Sequence, residues 1–78
     1  MSPGYEPPYG WVWGAEGEVL EHPGEQRVRL LVLSMHAQGE SGRRITAELN
    51  RLCPHLARGS QFWTMTVSRI LKRARLYG

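Results

Sequence analysis

The side chains of this chain best suited to chemistry are cations and hydroxyls gathered in one short stretch, Thr64 to Arg73. Within it, Thr66-Val67-Ser68-Arg69-Ile70-Leu71 begins an apolar series at 67, 70, 71 and 74, the spacing of one helix face. Ser68, Arg69, Lys72 and Arg73 fall on or near the opposite face. A short helix with a buried stripe and a cationic back suits insertion into a DNA major groove. Other chemistries have less support. His22, His36 and His55 share no metal-ligand spacing with one another or with Cys53, so no metal and no cofactor is expected. Ser34, Ser41 and Ser68 have no evident base partner, which argues against a nucleophile. Nothing resembles a phosphate-cradling glycine loop.

Composition narrows the class. Seventy-eight residues make one small domain near the lower limit for independent folding. The single cysteine, Cys53, excludes an internal disulfide framework and a cysteine-based zinc knuckle, and a lone thiol fits the cytoplasm. The N-terminus shows no apolar signal region, and the longest apolar run, Leu30 to Leu33, is too short to span a bilayer, so no membrane partner is expected. The net charge of +3 hides an asymmetry. Residues 1–26 hold five Glu and no Lys or Arg, a net −5; residues 27–78 hold ten Lys and Arg against two Glu, a net +8. Nine of those ten cations are Arg, which forks onto phosphate and guanine better than Lys. The bland reading is a solvated basic surface with local acidic compensation; the sharper one is an anionic partner for the second half.

The elements that must position the basic stretch can be read in order. Residues 1–8, with Pro3, Pro7 and Pro8, read as a flexible lead-in to a domain over 9–78. Tyr9 to Trp13 and Glu18 to Glu21 alternate apolar residues around Gly14-Ala15-Glu16-Gly17, the pattern of a small β-hairpin whose glycines supply positive φ. A first helix should begin at Pro23 or Gly24, with Glu25 at the positive end of its dipole, and stop at Gly39. Val28, Leu31, Val32 and Met35 form one stripe, while Leu30 and Leu33 lie opposite. Two explanations stand for that second apolar side: cover by Trp11 and Trp13 of the hairpin, or a homodimer seam. Ser41 should cap a second helix running to about Leu52, with Ile45, Leu49 and Leu52 in the core and Arg43, Arg44 and Arg51 exposed. Pro54 ends it, residues 53–63 connect, and Thr64 is the candidate N-cap of a third helix to about Arg75. In so small a domain the three tryptophans read as core rather than base-stacking platforms.

This layout is mainly α: a three-helix helix-turn-helix module with a small N-terminal β-hairpin. The second helix braces against the DNA backbone and the third enters the groove. Thr64, Met65, Thr66 and Arg69 are then the candidate base readers, with Lys72 and Arg73 over phosphates. For Thr64 and Thr66 taken singly, capping is the simpler role.

The order Pro8-Tyr9-Gly10, Glu25, Gly39-Glu40-Ser41, Ile45, Glu48-Leu49-Asn50, Arg58-Gly59, Trp63, Thr66-Val67, Ile70-Leu71 and Tyr77-Gly78 resembles the recombinase DNA-binding domain of serine recombinases. In that family the domain follows a resolvase-type catalytic domain in site-specific integrases and transposases. The resemblance spans nearly the whole chain and implies a helix-turn-helix with a long connection before the recognition helix. It also implies DNA contacts at Arg58 and Gln61 in the connection and at Thr64 to Arg69, Ser68 included, in the helix. Thr46 departs from the family's usual Ala, so its hydroxyl must bond a carbonyl one turn back or face solvent. Cys53-Pro54-His55 departs from a short Gly-containing turn. No stretch resembles the family's nucleophilic Ser with surrounding arginines, so the chain is not expected to be an enzyme; it is an excised domain or a free-standing relative.

The sequence therefore leads to a non-enzymatic duplex-DNA binder. The alternative is a protein-interaction adaptor that uses the Trp-bearing hairpin and the two-sided first helix, with a protein partner or a second copy as its ligand.

Overall fold

A computed structural model describes residues 5–77, with side chains through Arg75. The expected lead-in is thus divided: residues 1–4 lie outside the described residues, as does Gly78 of the family pattern. The order is β1 (Trp11–Trp13), β2 (Val19–Glu21), α1 (Pro23–Ala37), α2 (Gly42–Leu52), a 3-10 turn at Pro54–Leu56, and α3 (Thr64–Tyr77). The fold is mainly helical with a small N-terminal hairpin, as the sequence predicts.

Local chemistry sets each boundary. Pro23 opens α1, and the His22 ring accepts the Glu25 backbone N–H through Nδ1 at 3.1 Å. At the other end Gly39, at φ +90°, donates to the His36 carbonyl at 2.9 Å, and Glu40 donates to Met35 at 3.1 Å. These paired bonds satisfy the last carbonyls and need a left-handed residue between them, which favours glycine. Ser41 caps α2 by accepting the Arg44 N–H at 3.2 Å. The Thr46 hydroxyl donates to the Gly42 carbonyl at 2.7 Å, one turn back.

The hairpin pairs Trp11 with Glu21, Val12 with Leu20 and Trp13 with Val19. Gly17 takes positive φ in its turn; Gly14 does not, and instead donates its N–H to the Glu18 carbonyl. The strands are shorter than the alternation suggested, because the chain bends away at Gly10, itself at φ +111°.

The core draws Val28 and Val32 from α1, Ile45 and Leu49 from α2, Val67 and Ile70 from α3, and Phe62 from the connection. Phe62 is the member that periodicity misses, because it belongs to no helix. Asn50 fixes it: its amide nitrogen donates to the Phe62 carbonyl at 3.1 Å, and its oxygen accepts the Phe62 N–H at 2.7 Å. One side chain thus takes the part of a neighbouring strand. The Phe62 ring meets the edge of Tyr9 at 5.9 Å between centroids.

Several expectations are corrected. Leu52 is 50% exposed rather than core, because Cys53 turns the chain away as the C-cap of α2. No tryptophan is buried: Trp63 is 56% exposed, and Trp11 and Trp13 are half-buried. The hairpin covers only part of the second side of α1. Leu33 is half-buried beside Trp11, but Leu30 is 67% exposed. Thr64 is the first residue of α3 rather than its cap; the Trp63 carbonyl before it accepts the N–H groups of Thr66 and Val67.

Asn50→Ala leaves both polar groups of Phe62 without their partner. Stability should fall by about 1–3 kcal/mol, measured by chemical denaturation. Phe62→Ala should cost more, about 3–5 kcal/mol, by emptying a fully packed site. A loss below about 0.5 kcal/mol for the first variant would mean that the amide clamp contributes nothing beyond an ordinary surface contact.

Candidate nucleic-acid interface

The geometry around α3 begins with an ion pair that sequence inspection does not reveal. Glu25, 7% exposed in the first turn of α1, faces Arg58 of the connection. The guanidinium forks onto the carboxylate, Nη2 to Oε1 at 2.7 Å and Nε to Oε2 at 3.1 Å. It also donates to the carbonyls of Pro7, Pro8 at 3.1 Å and Trp11 at 2.9 Å. Glu25 Oε1 accepts the Gly10 N–H at 2.8 Å, and Gln26 Nε2 donates to the Gly10 carbonyl at 2.8 Å. A side chain on Gly10 would lie 2.5 Å from Arg29 Cδ, so glycine is required there for approach as well as for φ.

Tyr9 completes this hub. Its ring lies under the Arg58 guanidinium at 5.4 Å, and its hydroxyl donates to the Leu56 carbonyl at 2.7 Å. Burial, reinforced by the Glu25 charge, pushes its phenol well above the ordinary range and keeps it a donor. Burial alone would raise the Glu25 carboxyl, but the bonds from Arg58 and Gly10 outweigh it and hold the group below its ordinary value of about 4.5.

The hub stands Tyr5–Tyr9 beside α3. Tyr5 is held by an edge-to-face contact with Trp13 at 5.5 Å, and its carbonyl accepts the Trp13 indole N–H at 2.8 Å. Between this segment and α3 opens a cleft of about 560 Å³. Gln61, Thr66, Arg69, Lys72 and Arg73 line it, with Glu6 on the opposite wall and Arg58 also lining it. Val67 and Ile70 bury the inner side of the same helix, and this fixes which residues turn outward.

The expected contact residues therefore separate into groups. Gln61, Thr66, Arg69, Lys72 and Arg73 come together in the cleft. Thr64, Met65 and Ser68 are exposed on the first turns of α3 but do not line it. Arg43 and Arg44 are exposed at the start of α2, outside the cleft, with Arg44 3.7 Å from Glu40. Arg58 stands apart from the others. The resemblance puts it on DNA, whereas its donors are occupied within the fold by Glu25 and three carbonyls.

Sequence reasoning missed Glu6 and Tyr9 as walls of the cleft and Trp63 as an exposed ring beside the helix start. None carried a signal in the sequence: Phe62 and Trp63 are adjacent and face opposite ways, and only the fold shows which of them is core. Burial raises the Cys53 thiol above its ordinary value, which disfavours the thiolate. Among the described residues, no group of His, Cys, Asp or Glu is placed to hold a metal, and no helix is long and apolar enough to cross a membrane.

Compared with known proteins, the chain matches no family model, no curated protein sequence and no solved structure.

Because the folded Glu25 carboxyl is depressed, its contribution to stability is present above about pH 4.5 and is lost as pH falls through the lower folded value. Thermal unfolding followed from pH 7 downward should show wild type losing stability below that point more steeply than Glu25→Gln. Arg58→Ala should cost about 3–5 kcal/mol at neutral pH by leaving the Glu25 charge buried and unpaired. Parallel pH profiles for wild type and Glu25→Gln would remove the ion pair from the account of acid unfolding.

Proposed function

We propose that this chain binds duplex DNA through α3, as a helix-turn-helix module of the serine-recombinase type that reads DNA without cutting it. The observation that carries the reading is the division of α3: Val67 and Ile70 are buried, while Thr66, Arg69, Lys72 and Arg73 line one open cleft. Thr64, Met65 and Ser68 lie exposed on the adjoining first turns. Arginine offers a planar fork that matches guanine O6 and N7 or a phosphate, and the threonine and serine hydroxyls can donate or accept at base edges. In this reading Thr64, Met65, Thr66, Ser68 and Arg69 face bases, Gln61 adjoins them, and Lys72 and Arg73 face phosphates. Arg43 and Arg44 contact the backbone from α2. Arg58 holds the frame instead of touching DNA. A cytoplasmic setting belongs to the same reading.

The adaptor reading is favoured by a different observation. Val12, Val19 and Leu20 of the hairpin and Leu30 of α1 are all exposed, although none adjoins the cleft.

The two readings separate in a gel shift of the purified chain on mixed-sequence duplex at low and high salt. DNA binding predicts a shift at low salt that weakens steeply as salt rises. Lys72→Ala should weaken binding to all duplexes and reduce the salt slope by about 1. Arg69→Ala should cost about 1–3 kcal/mol on a selected site and less on random duplex. Equal losses on both would reduce Arg69 to a phosphate contact, and no shift at low salt would overturn DNA binding.

A further inference from the structure

A second cleft, of about 710 Å³, lies between α1 and the C-terminal half of α3, with Trp11 at one side. Its apolar lining comes from Trp11, Leu33, Leu71 and Ala74; Arg29, Arg73 and Arg75 provide its cations, and His36 lines it beside them. Among the described residues no carboxylate lines it. Arg29 is preset: its guanidinium stacks over the Trp11 ring at 4.6 Å, and Nη1 donates to Gln26 Oε1 at 3.0 Å. An apolar cleft whose charged lining among the described residues is cationic is complementary to a ligand that is apolar and acidic at once.

The same chain displays such a surface. Val12 and Leu20 pair across the hairpin on the face opposite Trp11, and both are exposed. Val19 pairs with Trp13 on the other face, and the turn adds the exposed carboxylates Glu16 and Glu18. The hairpin contains no cation. Two strands of three residues are marginal alone, and nothing among the described residues covers this outer face.

We propose that the α1/α3 cleft receives the outer face and tip of the hairpin of a second copy of this chain, so that two copies exchange hairpins reciprocally. Such an isologous pair uses each surface twice and closes as a dimer. It would complete the cover of Leu33, which the chain's own Trp11 covers in part; Leu30 lies outside the cleft. It does not rest on DNA binding: of the residues assigned to DNA, Arg73 is shared with this cleft, and Thr64, Met65, Thr66, Ser68, Arg69 and Lys72 lie outside it.

The test is oligomeric state by light scattering after size exclusion, over a range of protein concentration and salt. Wild type should approach twice its 8.9 kDa mass at low salt and dissociate as salt rises. A hairpin variant, Glu16→Lys with Leu20→Lys, and a cleft variant, His36→Glu with Arg75→Glu, should each weaken self-association about tenfold or more. All four positions are exposed, and the helical circular-dichroism signal should be retained in both. Mixing the two variants should restore association, because in the mixed pair the introduced lysines meet the introduced glutamates while the unaltered hairpin meets the unaltered cleft. If one variant loses its helical signal, Leu20→Lys alone replaces the hairpin pair and Arg75→Glu alone the cleft pair, each expected to weaken self-association, and mixing is read with the double variants. A wild type that is monomeric at every concentration, variants that associate like wild type, or a mixture that stays monomeric would each overturn the proposal.

Discussion

The ion pair between Glu25 and Arg58 is the constraint on which the other parts depend. It joins the N-terminal segment, the foot of the hairpin, the first turn of α1 and the connection before α3. A buried pair of this kind does not favour folding simply by being an ion pair, since desolvating two charges costs several kcal/mol. What offsets that cost is the number of further bonds. The carboxylate also accepts the Gly10 N–H, and the guanidinium satisfies three carbonyls that would otherwise face the interior. Geometry is the result: an otherwise irregular stretch is held beside α3 and becomes one wall of a cleft.

The helices themselves are held more simply. Seven apolar side chains from three helices and one connection meet in a single core, and α3 is oriented by two of them. The Asn50 clamp settles where α3 starts, because it fixes Phe62 two residues before Thr64. Core packing and polar clamp are thus complementary. One decides which face of the basic helix is hidden, and the other decides where its exposed first turn stands.

Much of this was legible from the residues. Pro23, Gly39, Ser41 and Pro54 punctuate the chain, and each acts within about one turn of itself, so the helix boundaries follow from local chemistry. The buried positions Val28, Val32, Ile45, Leu49, Val67 and Ile70 follow from the helical period. Features that depend on partners distant along the chain were not legible. Glu25 reads as a dipole complement, yet its main partner is 33 residues away. Arg58 looks like any exposed arginine of a basic half. Phe62 and Trp63 are adjacent aromatics with no period to separate them, and one became core while the other faces outward. Leu52 satisfied the period but sits where α2 ends and the chain turns away. The candidate contact surface was readable as a helix face; its opposing wall, Glu6 to Tyr9, was not.

The Arg58 hub also closes long loops. Its bonds to Pro7 and Pro8 connect positions 51 and 50 residues apart, whereas α1 and α2 are each built from contacts a turn apart. Contacts between near neighbours form early, and those that close long loops carry an entropic cost that the early ones do not. Loop-closure entropy therefore favours the local turns of α1 and α2 over docking of the N-terminal segment, whose place beside α3 depends on the long-range bonds of Arg58.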